Sequence, residues 1–156
     1  MIGDPQVLEL LNEVLTAELT AINQYYVHTK MNENWGYARM AAKKREEAME
    51  EMRHADEVID RILFLEGVPN MQRLGPIQVG ESVPEQHGLD LALELAAVER
   101  LNRGIALARD KGDNGTRELL ERILKEEEEA VDWHEAQLGI IETIGAKRYL
   151  AEQIHG

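Results

Sequence analysis

The sequence predicts an all-α protein, a bundle of four long helices with a long crossover between the second and third and a short fifth helix at the C-terminus. Three observations predict it. Pro69, Pro76 and Pro84, three of the four prolines, share one segment with Gly67, Gly75 and Gly80, which marks 67–82 as a connection. Elsewhere apolar residues recur at spacings of three and four, the period of a helix with one buried face. The other two helix–helix connections are short, so each joins an antiparallel pair.

Each element has its own signals. Asp4-Pro5 sets a capping residue before a proline at the first helical position, and the first helix runs over about 5–34 until Gly36. The second covers about 37–66 and stops at Gly67-Val68-Pro69. Ser82-Val83-Pro84-Glu85 reads as a capping box for the third, about 83–111, which ends near Gly112. Thr116 caps the fourth, about 116–144, which ends at Gly145, and 146–154 leaves room for the short fifth. Helices of roughly 30 residues are about 45 Å long. The middle connection is long enough to traverse that length, which selects a ferritin-like bundle over a simple up-and-down one.

Composition narrows the function. The 156 residues suit a single domain spanning 1–156. With 17 Lys+Arg against 30 Asp+Glu the net charge is −13, which disfavours a nucleic-acid partner and favours cations, metal ions among them. The chain has no cysteine, so disulfides, iron–sulfur clusters and thiolate zinc sites are excluded. The longest stretch without a charged residue is 19–29, 11 residues, too short for a membrane span. The first cationic side chain is Lys30, a pattern unlike a secretory signal. The expectation is a soluble, cytoplasmic protein without a membrane partner.

The apolar stripes contain carboxylates. The first helix reads Leu11, Val14, Leu15, Ile22 and Tyr25, with Glu18 inside the stripe. In the second, Val58, Ile62 and Leu65 lead back by threes and fours to His54, Glu51 and Glu47. The third reads Leu91, Leu95, Val98, Leu101 and Ile105 around Glu94, and the fourth Leu120, Ile123, Leu124, Val131, Leu138 and Ile141 around Glu127. One such glutamate is ordinarily a partly exposed group. Four in one core would repel one another and pay heavy desolvation unless cations joined them. Oxygen donors with one imidazole suit iron or manganese. Glu51-Met52-Arg53-His54 is a Glu-x-x-His motif, and a glutamate from each of two helices plus such a motif from the others is the di-iron carboxylate pattern.

On these residues, and on Ala21-Ile22-Asn23-Gln24-Tyr25, Arg61-Ile62-Leu63-Phe64-Leu65-Glu66-Gly67 and Asp90-Leu91-Ala92-Leu93-Glu94, the chain resembles bacterioferritin nearly end to end. The resemblance implies a hollow 24-subunit shell built from dimers that oxidises Fe(II) with O2 or H2O2 and stores ferric mineral. It implies Glu18 and His54 as terminal ligands of one iron, Glu94 of the other, and Glu51 and Glu127 as bridges. Met52 corresponds to the axial ligand of a b-type haem shared by two subunits. It lies about 100° around the helix from Glu51 and so points out of the bundle, where a methionine otherwise reads as interface packing. Glu46 and Glu50 correspond to cavity-facing positions that bind iron, and otherwise read as a solvated face. Asn34, Glu66 and Asp132 correspond to residues that line a pore between subunits, and the glutamate run at 126–129 reads as a solvated strip around Glu127.

The chain departs from that family in one ligand. Glu127-Glu128-Glu129-Ala130 places alanine where a second imidazole belongs. His134, one turn on, and His87 stand where the family usually has apolar residues. They suggest a second polar layer of Tyr25, Glu47, His87 and His134, suited to relaying protons or holding a displaced metal. The plainer reading is a hydrogen-bonded core histidine at 134 and a surface histidine at 87. Two functions follow: an iron-storing ferroxidase with a modified, slower centre, or a haem-bearing subunit that co-assembles with a complete ferroxidase subunit. An electron donor would release stored iron in either.

Overall fold

The computed structural model describes residues 1–155. Its helices are α1 Pro5–Trp35, α2 Ala38–Phe64, α3 Val83–Asp110, α4 Asn114–Ile144 and α5 Ala146–Ala151. α1 packs along α2 and α3 along α4, and the pairs meet mainly through α1 and α3. Among the described residues no helix is long and apolar enough to cross a membrane.

The helix ends follow their sequence signals closely. Asp4 accepts hydrogen bonds from the Gln6 and Val7 amides, Pro5 takes the first turn, and Gly36 closes α1 at φ 85°. Ser82 accepts from the Glu85 amide at the start of α3. Three ends differ from expectation. α2 closes with Glu66, not Gly67, in the left-handed region (φ 62°), while the Gly67 amide returns to the Ile62 carbonyl. α4 begins earlier because Asp113 is its cap: the Thr116 amide and hydroxyl both donate to the Asp113 carboxylate, and Arg61 donates to Asp113 and Thr116. α5 ends at Ala151, short of 154.

Residues of the crossover run along α1, held by bonds between its backbone and α1 side chains. Asn12 meets the Val68 carbonyl and the Asn70 amide, and the Gly75, Gln78 and Gly80 amides donate to Thr20, Gln24 and His28. From Asn12 to His28 is about 24 Å of helix. The segment therefore runs along about half the length of α1, with backbone groups at 68, 70, 75, 78 and 80 paired to its side chains. Gly80 permits a close approach, since a Cβ there would lie 2.6 Å from the Gln86 amide nitrogen.

The apolar core joins Leu11, Val14, Leu15, Val58, Ile62, Leu101, Leu120 and Ile123 at one end of the bundle. The third helix is rotated from its expected stripe. Leu95 is half exposed, and the buried line is His87, Asp90, Glu94, Leu101, Gly104 and Ala108. Partners on other helices satisfy His87, Asp90 and one oxygen of Glu94, so hydropathy alone misplaces this face.

Candidate metal centre

The middle of each long helix supplies one buried glutamate: Glu18, Glu51, Glu94 and Glu127 are all 3% exposed or less. His54, one turn after Glu51, points inward with it. Donor atoms of Glu18, Glu51, His54 and Glu127 all lie within 4.8 Å of one another, a spacing that could hold one metal ion. His54 Nδ1 is 2.9 Å from Glu127 Oε1 and 3.6 Å from oxygens of Glu18 and Glu51. Glu94 stands beside this group, its Oε1 accepting a 2.6 Å hydrogen bond from the Tyr25 hydroxyl.

Electrostatics make the cluster incomplete as it stands. Burial first, then the neighbouring Glu127 charge, raises the Glu18 and Glu94 carboxyls; burial and Glu18 raise Glu51. Burial and the Glu51 charge push Glu127 up to about 7. Burial opposes the charged form of His54, but its carboxylate neighbours outweigh that and raise it. Glu18 Oε2 and Glu94 Oε2 are buried without any hydrogen-bond partner, and Glu127 Oε1 has only the 2.9 Å ion-pair contact with His54 Nδ1. Orphaned acceptors of this kind are costly, and a hard cation satisfies them. The donor set fits iron.

A cavity of about 540 Å³ between α1, α3 and the crossover reaches Glu18, Glu51, Glu94 and Glu127, with the exposed Arg73 and Arg103 in its lining. At position 130 a buried alanine adds no donor, and its carbonyl accepts a 2.8 Å bond from His134 Nδ1.

Several other residues sit apart from this centre or differ from expectation. Glu126 is not merely part of a solvated strip: it contacts His54 Nε2 at 2.5 Å and, with Glu50, forms a second three-donor group around that imidazole. Burial and Glu47 push Glu50 up to about 7. Glu46 is exposed and 3.7 Å from Lys43. Glu47 is buried but pairs with Lys43 at 3.2 Å. His87 is fully buried, which overturns its reading as a surface residue, and its ring centroid lies 5.8 Å from that of His134. Tyr25 lies 6.0 Å from His134, centroid to centroid. The residue between the two imidazoles is Lys44, which sequence reasoning missed, as it missed Asp90 and His28 beside it. Met52 is half exposed on the outer side of α2, with exposed Met49 one turn before it. Asn34, Glu66 and Asp132 are exposed.

A four-helix bundle with a long crossover and a mid-helix cage of glutamates and one imidazole defines a ferritin-like protein, and the ferritin-like domain family matches residues 8–144. The relatives are more specific. Bacterioferritin of Mycobacterium bovis is 49% identical over 152 residues, 97% of this chain and 96% of the relative. Bacterioferritin of Streptomyces coelicolor is 48% identical over 154 residues, 99% of this chain and 92% of the relative. The solved structure of Mycobacterium tuberculosis bacterioferritin BfrA superposes with a TM-score of 0.98 at 48% identity, covering 99% of this chain and 98% of that one. The chain belongs to the bacterioferritin family.

Proposed function

We propose that this chain stores iron, oxidising Fe(II) at the glutamate cage and depositing it as ferric mineral inside a shell of its own copies. The observation that carries the proposal is the convergence of Glu18, Glu51, His54 and Glu127 within 4.8 Å, with orphaned atoms turned inward. Family membership supports iron storage. Fe(II) is the substrate, and O2 or H2O2 accepts its electrons. Glu18 and His54 hold one ion, Glu51 and Glu127 are shared, and Glu94, steadied by Tyr25, serves the second. Without an imidazole at 130, the second position has fewer donors and exchanges its ion more readily.

The half-exposed thioether of Met52 would hold haem at a subunit pair, where the group would supply electron transfer. A cytoplasmic location, iron release by an electron donor, and iron binding at Glu46 and Glu50 go with the same reading.

Ala130 favours a second reading, a haem-bearing subunit that oxidises iron poorly and co-assembles with a complete one. Aerobic Fe(II) addition to the homopolymer separates them. A fast ferric phase saturating near two irons per subunit is the expected result. Only slow growth in absorbance would favour the second reading.

A further inference from the structure

About two helical turns from the glutamates lies a layer that already has a cation. Lys44 on α2 is 0% exposed, and an ammonium has three hydrogens to give. They reach Asp90 Oδ2 at 2.7 Å, His87 Nδ1 at 3.2 Å and His134 Nε2 at 3.4 Å. These contacts fix the protons of the layer. Facing a donor, His87 Nδ1 and His134 Nε2 each present a lone pair. The His134 proton is on Nδ1 and goes to the Ala130 carbonyl; the His87 proton is on Nε2 and goes to the Tyr149 hydroxyl at 2.9 Å. Tyr149 in turn donates to Gln137 at 2.7 Å. Asp90 also accepts from Gln24 at 2.9 Å and from His28, whose Nε2 takes the Gly80 amide. None of these side chains carries an orphaned atom, unlike the glutamates beside them.

We propose that His87, His134 and Asp90 form a cation site whose resident cation is the ammonium of Lys44, and that this occupancy keeps iron out of the layer. Two imidazole nitrogens and a carboxylate oxygen are a donor set that iron, manganese and zinc accept. They stand at hydrogen-bond radius, 2.7–3.4 Å from the central nitrogen, whereas metal–nitrogen bonds are about 2.0–2.1 Å. Neither donor group near enough for a metal among the described residues includes them. Burial and the Lys44 charge push His87 down to about 2 and His134 down to about 4, so both rings stay neutral and able to accept.

The other roles suggested for this layer fit less well. A metal would have to sit where Nζ sits. A proton relay from the glutamates would need an unbroken chain. The Tyr25 hydroxyl donates to Glu94, and it is the ring of Tyr25 that Lys44 Nζ approaches, 5.8 Å from the centroid.

Removing Lys44 leaves two imidazole lone pairs and a carboxylate around an emptied polar space. A divalent ion can claim them once the rings move inward by about 1 Å. Co(II) titration of the assembled protein, followed by visible absorption and bound-metal count, tests this whether or not the glutamates oxidise iron. Lys44→Ala is expected to bind one more Co(II) per subunit than wild type, and the Lys44→Ala, His134→Ala double variant to lose it. Equal counts in wild type and Lys44→Ala overturn the proposal, as does an extra ion that survives loss of His134. If Lys44→Ala does not assemble, solid-state 15N NMR of histidine-labelled wild type decides. His87 and His134 are expected to remain neutral, protonated on Nε2 and Nδ1 respectively, and unmoved by Zn(II) that saturates the glutamates. Displacement of their resonances by Zn(II) overturns the proposal.

Discussion

Lowering the pH from 8 to 6 is expected to weaken divalent-metal binding at the glutamate cage by about tenfold. The magnitude comes from Glu127, whose carboxyl is pushed up to about 7 by burial and by the Glu51 charge. A raised carboxyl keeps its proton to higher pH, and a metal must expel that proton to bind. For a group titrating near 7, the bare fraction falls from about nine-tenths at pH 8 to about one-tenth at pH 6, a change of about 1.4 kcal/mol in binding free energy. Affinity therefore rises with pH. Glu18, Glu51 and Glu94 are raised as well, so about tenfold is a floor. Zn(II) serves as a redox-inert stand-in for Fe(II), and calorimetry in buffers of different ionisation enthalpy counts the protons released along with the affinity. Glu127→Gln should bind more weakly overall and with a shallower pH dependence. An affinity that changes less than about twofold across this range, or a Glu127→Gln variant as steep as wild type, would refute the reasoning.

Three further outcomes follow from single contacts, and one from the outer face. Tyr25→Phe strips Glu94 of its 2.6 Å donor and leaves both its oxygens bare, which should destabilise the metal-free protein by about 1–3 kcal/mol in chemical denaturation. Arg61→Met removes the donors that fasten Asp113 and Thr116, and amide exchange at the start of α4 should speed up while the other helix termini are unchanged. Gly104→Val puts a Cβ 2.7 Å from Leu10 Cδ1 and 2.9 Å from Leu120 Cδ1; overpacking should cost about 1–3 kcal/mol of unfolding free energy, read as a lower denaturation midpoint. Met52→Leu should abolish haem absorbance in purified protein while leaving Zn(II) binding at the glutamates intact.

The bundle was legible because its punctuation is local. Asp4-Pro5, Gly36, the proline-rich crossover and Ser82 act through the backbone of the residues beside them, and all four stand where a sequence reading puts them. The four cage glutamates were legible because each interrupts a hydrophobic period. The polar layer was only half legible. Tracing α2 back by threes and fours reaches Glu47, and one further step of three reaches Lys44, but a lysine on a core face looks like the end of the stripe. Its burial makes sense only with Asp90, His87 and His134 in place, and those lie on two other helices. The same blindness rotated α3, whose buried face is largely polar or small, so that Leu95 was expected inside and is half exposed. Glu126 looked like surface because it lies off the apolar stripe, and it is half exposed, yet it reaches His54 from the rim.

The two layers explain each other through charge. The cage gathers four carboxylates around one imidazole, and its orphaned atoms mark a shortage of positive charge that only cations from outside can supply. The neighbouring layer pairs one carboxylate with one ammonium, and its two imidazoles are neutral, so it is complete without a ligand. Alanine at 130 adds no donor to the cage and leaves its negative charge untouched. On the proposed function the electrostatic pull on Fe(II) therefore survives, while a second ion would have one bond fewer. His134 cannot repair the loss, because its Nδ1 is tied to the Ala130 carbonyl and its Nε2 to Lys44. On the proposed function the two iron positions would be unequal: one would keep Glu18 and His54, and the other would rest on Glu94 and the shared carboxylates. An ion entering through the cavity should be held firmly at the first and pass on from the second, a more fitting arrangement for moving iron into a store than for keeping it at the gate.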